Sequence, residues 1–170
     1  MEKIEFKKLL FKVAFCTMVC DGHIDESEID EIKLMGTSTP FFLDIDLSEE
    51  LSKLTSELDK KGTQVINDLC KTLKDNILNP IQELIILEVA LRVINADHIH
   101  DENEINFINL IRAQLKLHNE EIVGRFGELD ILHTGSHINN VVKGKSNKDF
   151  IKNLRLPEMN KIEEIDLNFE

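Results

Sequence analysis

The chain repeats itself, and the repeat limits its fold more than any other feature. Residues 9–32 read LLFKVAFCTMVCDGHIDESEIDEI, and residues 85–108 read IILEVALRVINADHIHDENEINFI. They align without a gap at a separation of 76 and agree at 8 of 24 positions. The shared phrase is Asp-X-X-X-Asp-Glu-X-Glu-Ile, beginning at Asp21 in one copy and at Asp97 in the other. Each copy joins a segment that is apolar nearly all round to an acidic turn, and that turn to an amphipathic segment. Between Leu9 and Cys20 only Lys12 and Thr17 are polar; between Leu84 and Ala96 the charges are Glu88 and Arg92, with Asn95 near the end. A helix that is apolar on every face has to be surrounded by protein. The repeat therefore predicts an all-α fold, with about seven helices in a pseudo-twofold bundle around two central apolar helices. Lys12 and Glu88 hold equivalent positions on those helices. A charge there needs a partner or a route to solvent, so Lys12 is expected to pair with a carboxylate, Glu88 first, or to reach outward.

Periodicity reads as helix over most of the chain. The expected helices cover 4–20, 26–35, 48–61, 64–77, 80–95, 102–117 and 119–132. Ser48, Thr63 and Asn119 are the expected caps, and Asn79-Pro80 with Gln82 is a capping box with proline at the first helical position. Gly36 is the expected stop of the second helix. The connector 37–46 holds Pro40, Phe41 and Phe42, whose rings should tuck against the core. Residues 1–132 are thus expected to form one helical domain containing the repeat, and 133–170, polar and glycine-containing at first, a partly irregular C-terminal appendage.

Composition narrows the function. Tyr and Trp are absent although there are 9 Phe, which argues against an aromatic cage or a base-stacking platform. The net charge of −12 repels phosphate backbones and anionic lipid, so no nucleic-acid partner and no membrane insertion are expected. The acidity is local: residues 21–59 carry a net −10 and residues 83–110 a net −5, while the rest sums to +3. Three cysteines in a chain of this size read as reduced thiols. Lysines before the apolar run from Leu9 to Cys20 mimic a signal peptide, but Lys12 interrupts the run, and it is too short to span a bilayer. A cytoplasmic protein is expected.

The acidic turns are the candidate site. Asp21-Gly22-His23-Ile24-Asp25-Glu26-Ser27-Glu28 resembles the second half of an EF-hand loop, but Thr17 and Val19 would then occupy two ligand positions, and the second copy lacks the glycine; an EF-hand is rejected. Asp25 with Glu28, and Asp101 with Glu104, each fit a capping box. Capping does not require Asp21 or Asp97, which follow directly on the preceding helices. Two readings stay open: carboxylates that only cap, or a shared site for a divalent cation or a basic partner, made of Asp21, Asp25, Glu28, Asp97, Asp101 and Glu104. Such an all-oxygen set favours Ca²⁺, Mg²⁺ or Mn²⁺ over Zn²⁺. His23, His98 and His100 lie in or beside the turns and could add a ligand or serve as caps. His133 and His137 are four apart, but Gly135 argues against the helix a zinc pair would need. Cys16 and Cys20 share a helix face and read as packing. No nucleophile elbow, phosphate-cradling loop or dinucleotide fingerprint occurs, so no catalytic residue is expected.

Val13-Ala14, followed by Asp21-Gly22-His23-Ile24-Asp25-Glu26-Ser27-Glu28, resembles the tellurite-resistance TerB-like family, a module also found at the N-terminus of some DnaJ-type co-chaperones. The resemblance covers roughly residues 5–130. It implies an all-helical pseudo-twofold fold, acidic residues acting as a divalent-cation or partner site, and a stress-response or phage-defence setting. The chain departs from the pattern at Cys20, at His98 where the second glycine would stand, and after residue 132. The expected function is a non-enzymatic acidic module. The alternatives are a plain interaction scaffold, with an apolar groove or the tail as its binding surface, and a carboxylate-metal hydrolase, which would need a metal with an open position.

Overall fold

The computed structural model describes residues 1–132 and 147–168, with nothing stated for the side chains of 147–149. Among the described residues there are nine α-helices and no strand. They are α1 (Lys3–Val19), α2 (Glu26–Ser38), α3 (Leu47–Lys61), α4 (Gln64–Asp75), α5 (Pro80–Ile94), α6 (Glu102–Gln114), α7 (Asn119–Phe126), α8 (Asn147–Lys152) and α9 (Met159–Glu163), with a 3₁₀ turn at Asn95–Asp97. None is long and apolar enough to cross a membrane.

The centre is α1 packed against α5, the most extensive interhelical contact among the described residues. From Leu9 to Val19 every residue of α1 except Lys12 is buried. On α5, Ile86, Leu87, Val89, Ala90, Val93 and Ile94 are fully out of solvent. Thr17 is tolerated there because its hydroxyl donates to the Val13 carbonyl at 2.7 Å, and the Cys20 thiol donates to the Thr17 carbonyl at 3.0 Å. The connector rings behave as expected of them: Phe42 is buried, edge-on to Phe11 at 5.7 Å.

Lys12 does pair with a carboxylate, but the partner is Glu57 on α3, at 3.3 Å. Glu88 instead holds Arg125 of α7 at 3.0 Å. The two positions are equivalent along their helices, yet each faces the outer helix beside it rather than the other. Several helix ends also differ from the sequence reading. α3 is capped by Asp46, whose Oδ1 accepts from the Glu49 N–H at 3.0 Å, and Ser48 lies inside the helix, 3.2 Å from Asn168. The box at α7 belongs to His118 with Glu121, not to Asn119, which accepts from Arg112 at 3.2 Å. α7 stops at Phe126 because Gly127 turns left-handed at φ +76°, short of the expected 132. Thr63 precedes α4 without a side-chain cap bond, and α2 runs through Gly36 to Ser38. Asn79 and Gln82 form their box, at 2.9 and 3.0 Å.

The described part of residues 133–170 returns to the bundle, while 133–146 and 169–170, with His133 and His137, lie outside the described residues. α8 packs on α4 and α9 on α3. Ile151, Leu154, Ile162, Ile165 and Leu167 belong to the same buried cluster as α1 and α5. Truncating Ile162, which is wholly buried, should therefore cost a full core residue. Ile162→Ala is expected to lower unfolding free energy by about 2–5 kcal/mol in chemical denaturation; a loss near zero would show that α9 adds nothing to the fold.

Candidate functional site

The two acidic turns are built alike. After α1, Asp21 Oδ1 accepts the His23 N–H at 2.9 Å; after α5, Asp97 Oδ1 accepts the Ile99 N–H at the same distance. These Asx turns give Asp21 and Asp97 a local role that the capping argument did not supply. The next residue is left-handed in both copies, Gly22 at φ +83° and His98 at φ +60°. Glycine takes this conformation freely, and histidine is one of the residues that enter it at modest cost. Gly22 is constrained a second way, since a Cβ there would lie 2.9 Å from the carbonyl oxygen of Arg155 in the returning C-terminal segment. Each turn then opens a helix through its capping box. Asp101 and Glu104 exchange bonds of 2.9 and 3.0 Å; in the first copy the Asp25 N–H reaches Glu28 Oε2 at 3.3 Å.

The structure brings the two turns into one electrostatic neighbourhood. Burial comes first in raising Asp21, Glu28 and Glu104 above their ordinary carboxylate values. Charges from the other copy add to it: Asp101 acts on Asp21, Glu104 on Glu28, and Asp21 on Glu104. Glu28 is pushed up to about 9 and Glu104 to about 7. Asp25 and Asp97 act on the glutamate of their own copy. Of the six candidate residues, then, Asp21, Glu28, Asp101 and Glu104 are coupled across the repeat. The same four surround Cys20, whose thiol is raised chiefly by its own burial.

Glu28 is the least settled member. It is 2% exposed, and its Oε1 has no hydrogen-bond partner, nor does the neighbouring Ser27 hydroxyl. Among the described residues no three His, Cys, Asp or Glu side chains stand grouped as a metal ion would require. The donors are all carboxylate oxygens, which suits a hard cation, but most are engaged in the turns and boxes. His100 is spent on Asn95, at 2.6 Å. Burial pushes the Cys16 thiol up to about 12, as it does Cys70, which fits packing and not nucleophilic chemistry.

Sequence reasoning missed two contacts that frame the site. Arg92 of α5 bonds Glu31 of α2 at 2.6 Å and ties the second turn's entry helix to the first turn's exit helix. The Arg155 main chain lies against Gly22. Arg92 was visible as a lone cation in an apolar segment; nothing in the local sequence announces Arg155. In comparisons with known proteins, no family, curated protein or solved structure matches this chain.

The raised carboxyls make stability pH-dependent with a definite sign. Where the folded pKa exceeds the unfolded one, the folded state holds more protons and stability falls as pH rises. The stabilisation is complete below the ordinary glutamate value of 4.5 and is lost as pH climbs to about 7 for Glu104 and about 9 for Glu28. Melting temperature should therefore fall between pH 5 and pH 9, and the double substitution Glu28→Gln and Glu104→Gln should flatten that fall. An equally steep fall in the variant would place the titrating groups elsewhere.

Proposed function

We propose that the chain is a non-enzymatic, TerB-like acidic module whose two halves are related by a pseudo-twofold axis, and that the paired turns take up a divalent cation through Asp21, Asp25, Glu28, Asp97, Asp101 and Glu104. The observation that carries this reading is the unpartnered Oε1 of Glu28, buried among carboxylates from both copies. Burial and the neighbouring carboxylates hold Glu28 toward its protonated form, and a bound cation would offset both and let it ionise as a ligand. The matched Asx turns, left-handed positions and capping boxes support the twofold relation and the TerB-like assignment. A stress-response or phage-defence setting, in the cytoplasm, goes with that assignment.

A basic partner surface is the second reading, and one observation favours it. No closed ligand set is arranged among the described residues, whereas attraction to lysine or arginine needs only the concentrated charge.

Calorimetry with millimolar Ca²⁺, Mg²⁺ and Mn²⁺ at moderate salt tests the cation. A cation that binds only the folded state adds roughly 2.7 kcal/mol at a hundredfold excess over its dissociation constant. At least one of the three should raise the melting temperature, and Asp21→Asn with Asp97→Asn should abolish the rise. If none shifts the transition, the turns do not hold a cation. Asp101→Ala should cost about 1 kcal/mol even without metal, as loss of a cap.

A further inference from the structure

Two clefts lie along the outer flank of α5 and meet at the Glu88–Arg125 ion pair. One, of about 430 Å³, has Ile81, Leu84 and Ile85 on its floor and Pro40 and Phe41 on its wall. The other, of about 440 Å³, continues past Leu91 and Phe126 to Asn95, Ala96 and His98 on the second acidic turn. From Ile81 to Asn95 the flank is about 21 Å long at 1.5 Å per residue, close to four turns of a helix laid beside it. Its open end is apolar and uncovered: Ile81 is 69% exposed.

The flanking elements are acidic. α2 carries the exposed Glu26 and Asp30 and the partly buried Glu31 against Lys33, and residues 119–130 carry Glu120, Glu121, Glu128 and Asp130 against Arg125. The carboxylates that line the groove itself, Glu31 and Glu88, are each met by one arginine, Arg92 at 2.6 Å and Arg125 at 3.0 Å. Arg125 is more than half exposed, and its other contact is the face of its own neighbour Phe126, at 5.4 Å. It can leave Glu88 at little cost.

We propose that this groove docks an amphipathic helix of a partner protein, with one apolar face and flanking lysines or arginines. The apolar face covers Ile81, Leu84 and Ile85. The basic flanks meet the acidic walls, one of them replacing Arg125 on Glu88, and one end of the helix arrives at the second acidic turn. Helix-in-groove recognition by spaced apolar anchors fits the length and lining, and the acidic walls select the sign of the partner's charge. The proposal shares with the preceding section the reading of the chain as a binding module, and it does not depend on a cation in the turns.

Three labelled helical peptides of about four turns test it by fluorescence anisotropy on the full chain at ~0.15 M salt. One has a leucine stripe with lysine flanks, one the same stripe with glutamate flanks, and one the lysine composition with the stripe scrambled. The first should bind at least about tenfold more tightly than either other. Ile81→Asp, at a position exposed enough to spare the fold, and Ile85→Asp, checked by its melting curve, should each weaken it by about tenfold. Asp21→Asn, which lies outside the lining of both clefts, should leave that binding within about twofold while weakening any cation effect, so the two proposals fail separately. Equal binding of the scrambled or the glutamate peptide, no binding of the first, or no effect of Ile81→Asp would overturn the inference. So would a concentration-dependent dimer abolished by Ile81→Asp, which would give the groove to a second copy of the chain.

Discussion

Everything in this molecule hangs on the contact between α1 and α5. From Leu9 onward α1 is buried on nearly every side except at Lys12, and α5 keeps only a half-exposed outer flank. Burial alone therefore fixes their rotation weakly, and each must be ringed by other elements before it is stable. The ring is uneven. α3 and α4 wrap α1, α2 and α6 pack on α5, and α9 and the segment after it close over α3. The few polar groups on the two helices act as rotational markers, each reaching a different outer helix: Lys12 to Glu57, Glu88 to Arg125, Arg92 to Glu31. Each pair is partly exposed and individually weak. Their value lies in selecting one azimuth from several that hydrophobic burial alone would accept.

Because α1 and α5 end at the same side of that contact, the turns that follow them are brought into electrostatic reach of one another. Two helix starts with negative first turns would ordinarily be placed apart. Here Asp21, Glu28, Asp101 and Glu104 are coupled, and burial holds Glu28 and Glu104 well above the usual carboxylate range. The arrangement keeps unfavourable electrostatics in the resting protein, and that is the physical basis for reading the turns as more than caps.

Much of this was legible in the sequence, and the parts that were not share a cause. The helix content, the two buried central helices and the boxes at Asp25, Asn79 and Asp101 follow from short-range patterns, in which one residue specifies the behaviour of another three or four positions away. The partner of Lys12 was misread because it depends on which way around the helix a side chain leaves, and that is decided by neighbours remote in sequence. Ser48 and Asn119 were misplaced as caps because Asp46 and His118, one or two residues earlier, compete for the same role. In the C-terminal part the apolar residues come in clusters of two or three, too short to show a period, although Ile151 and Ile162 are as deeply buried as the core residues of α1. Asp21 and Asp97 were singled out by the repeat, but their bonds to His23 and Ile99 involve main-chain groups that a comparison of side chains does not display.

The contact between Gly22 and the Arg155 carbonyl makes the two halves of the repeat unequal in the variation they can absorb. At position 98 the left-handed residue carries an imidazole and is exposed, so a side chain has somewhere to go. At position 22 the last part of the chain closes that space. A duplicated element would be free to drift in both copies if each faced only its twin. Once a third segment leans on one of them, that copy acquires a neighbour to satisfy, and the pair becomes one fixed template and one permissive variant. A glycine in the first turn and a histidine in the second is what such an arrangement allows.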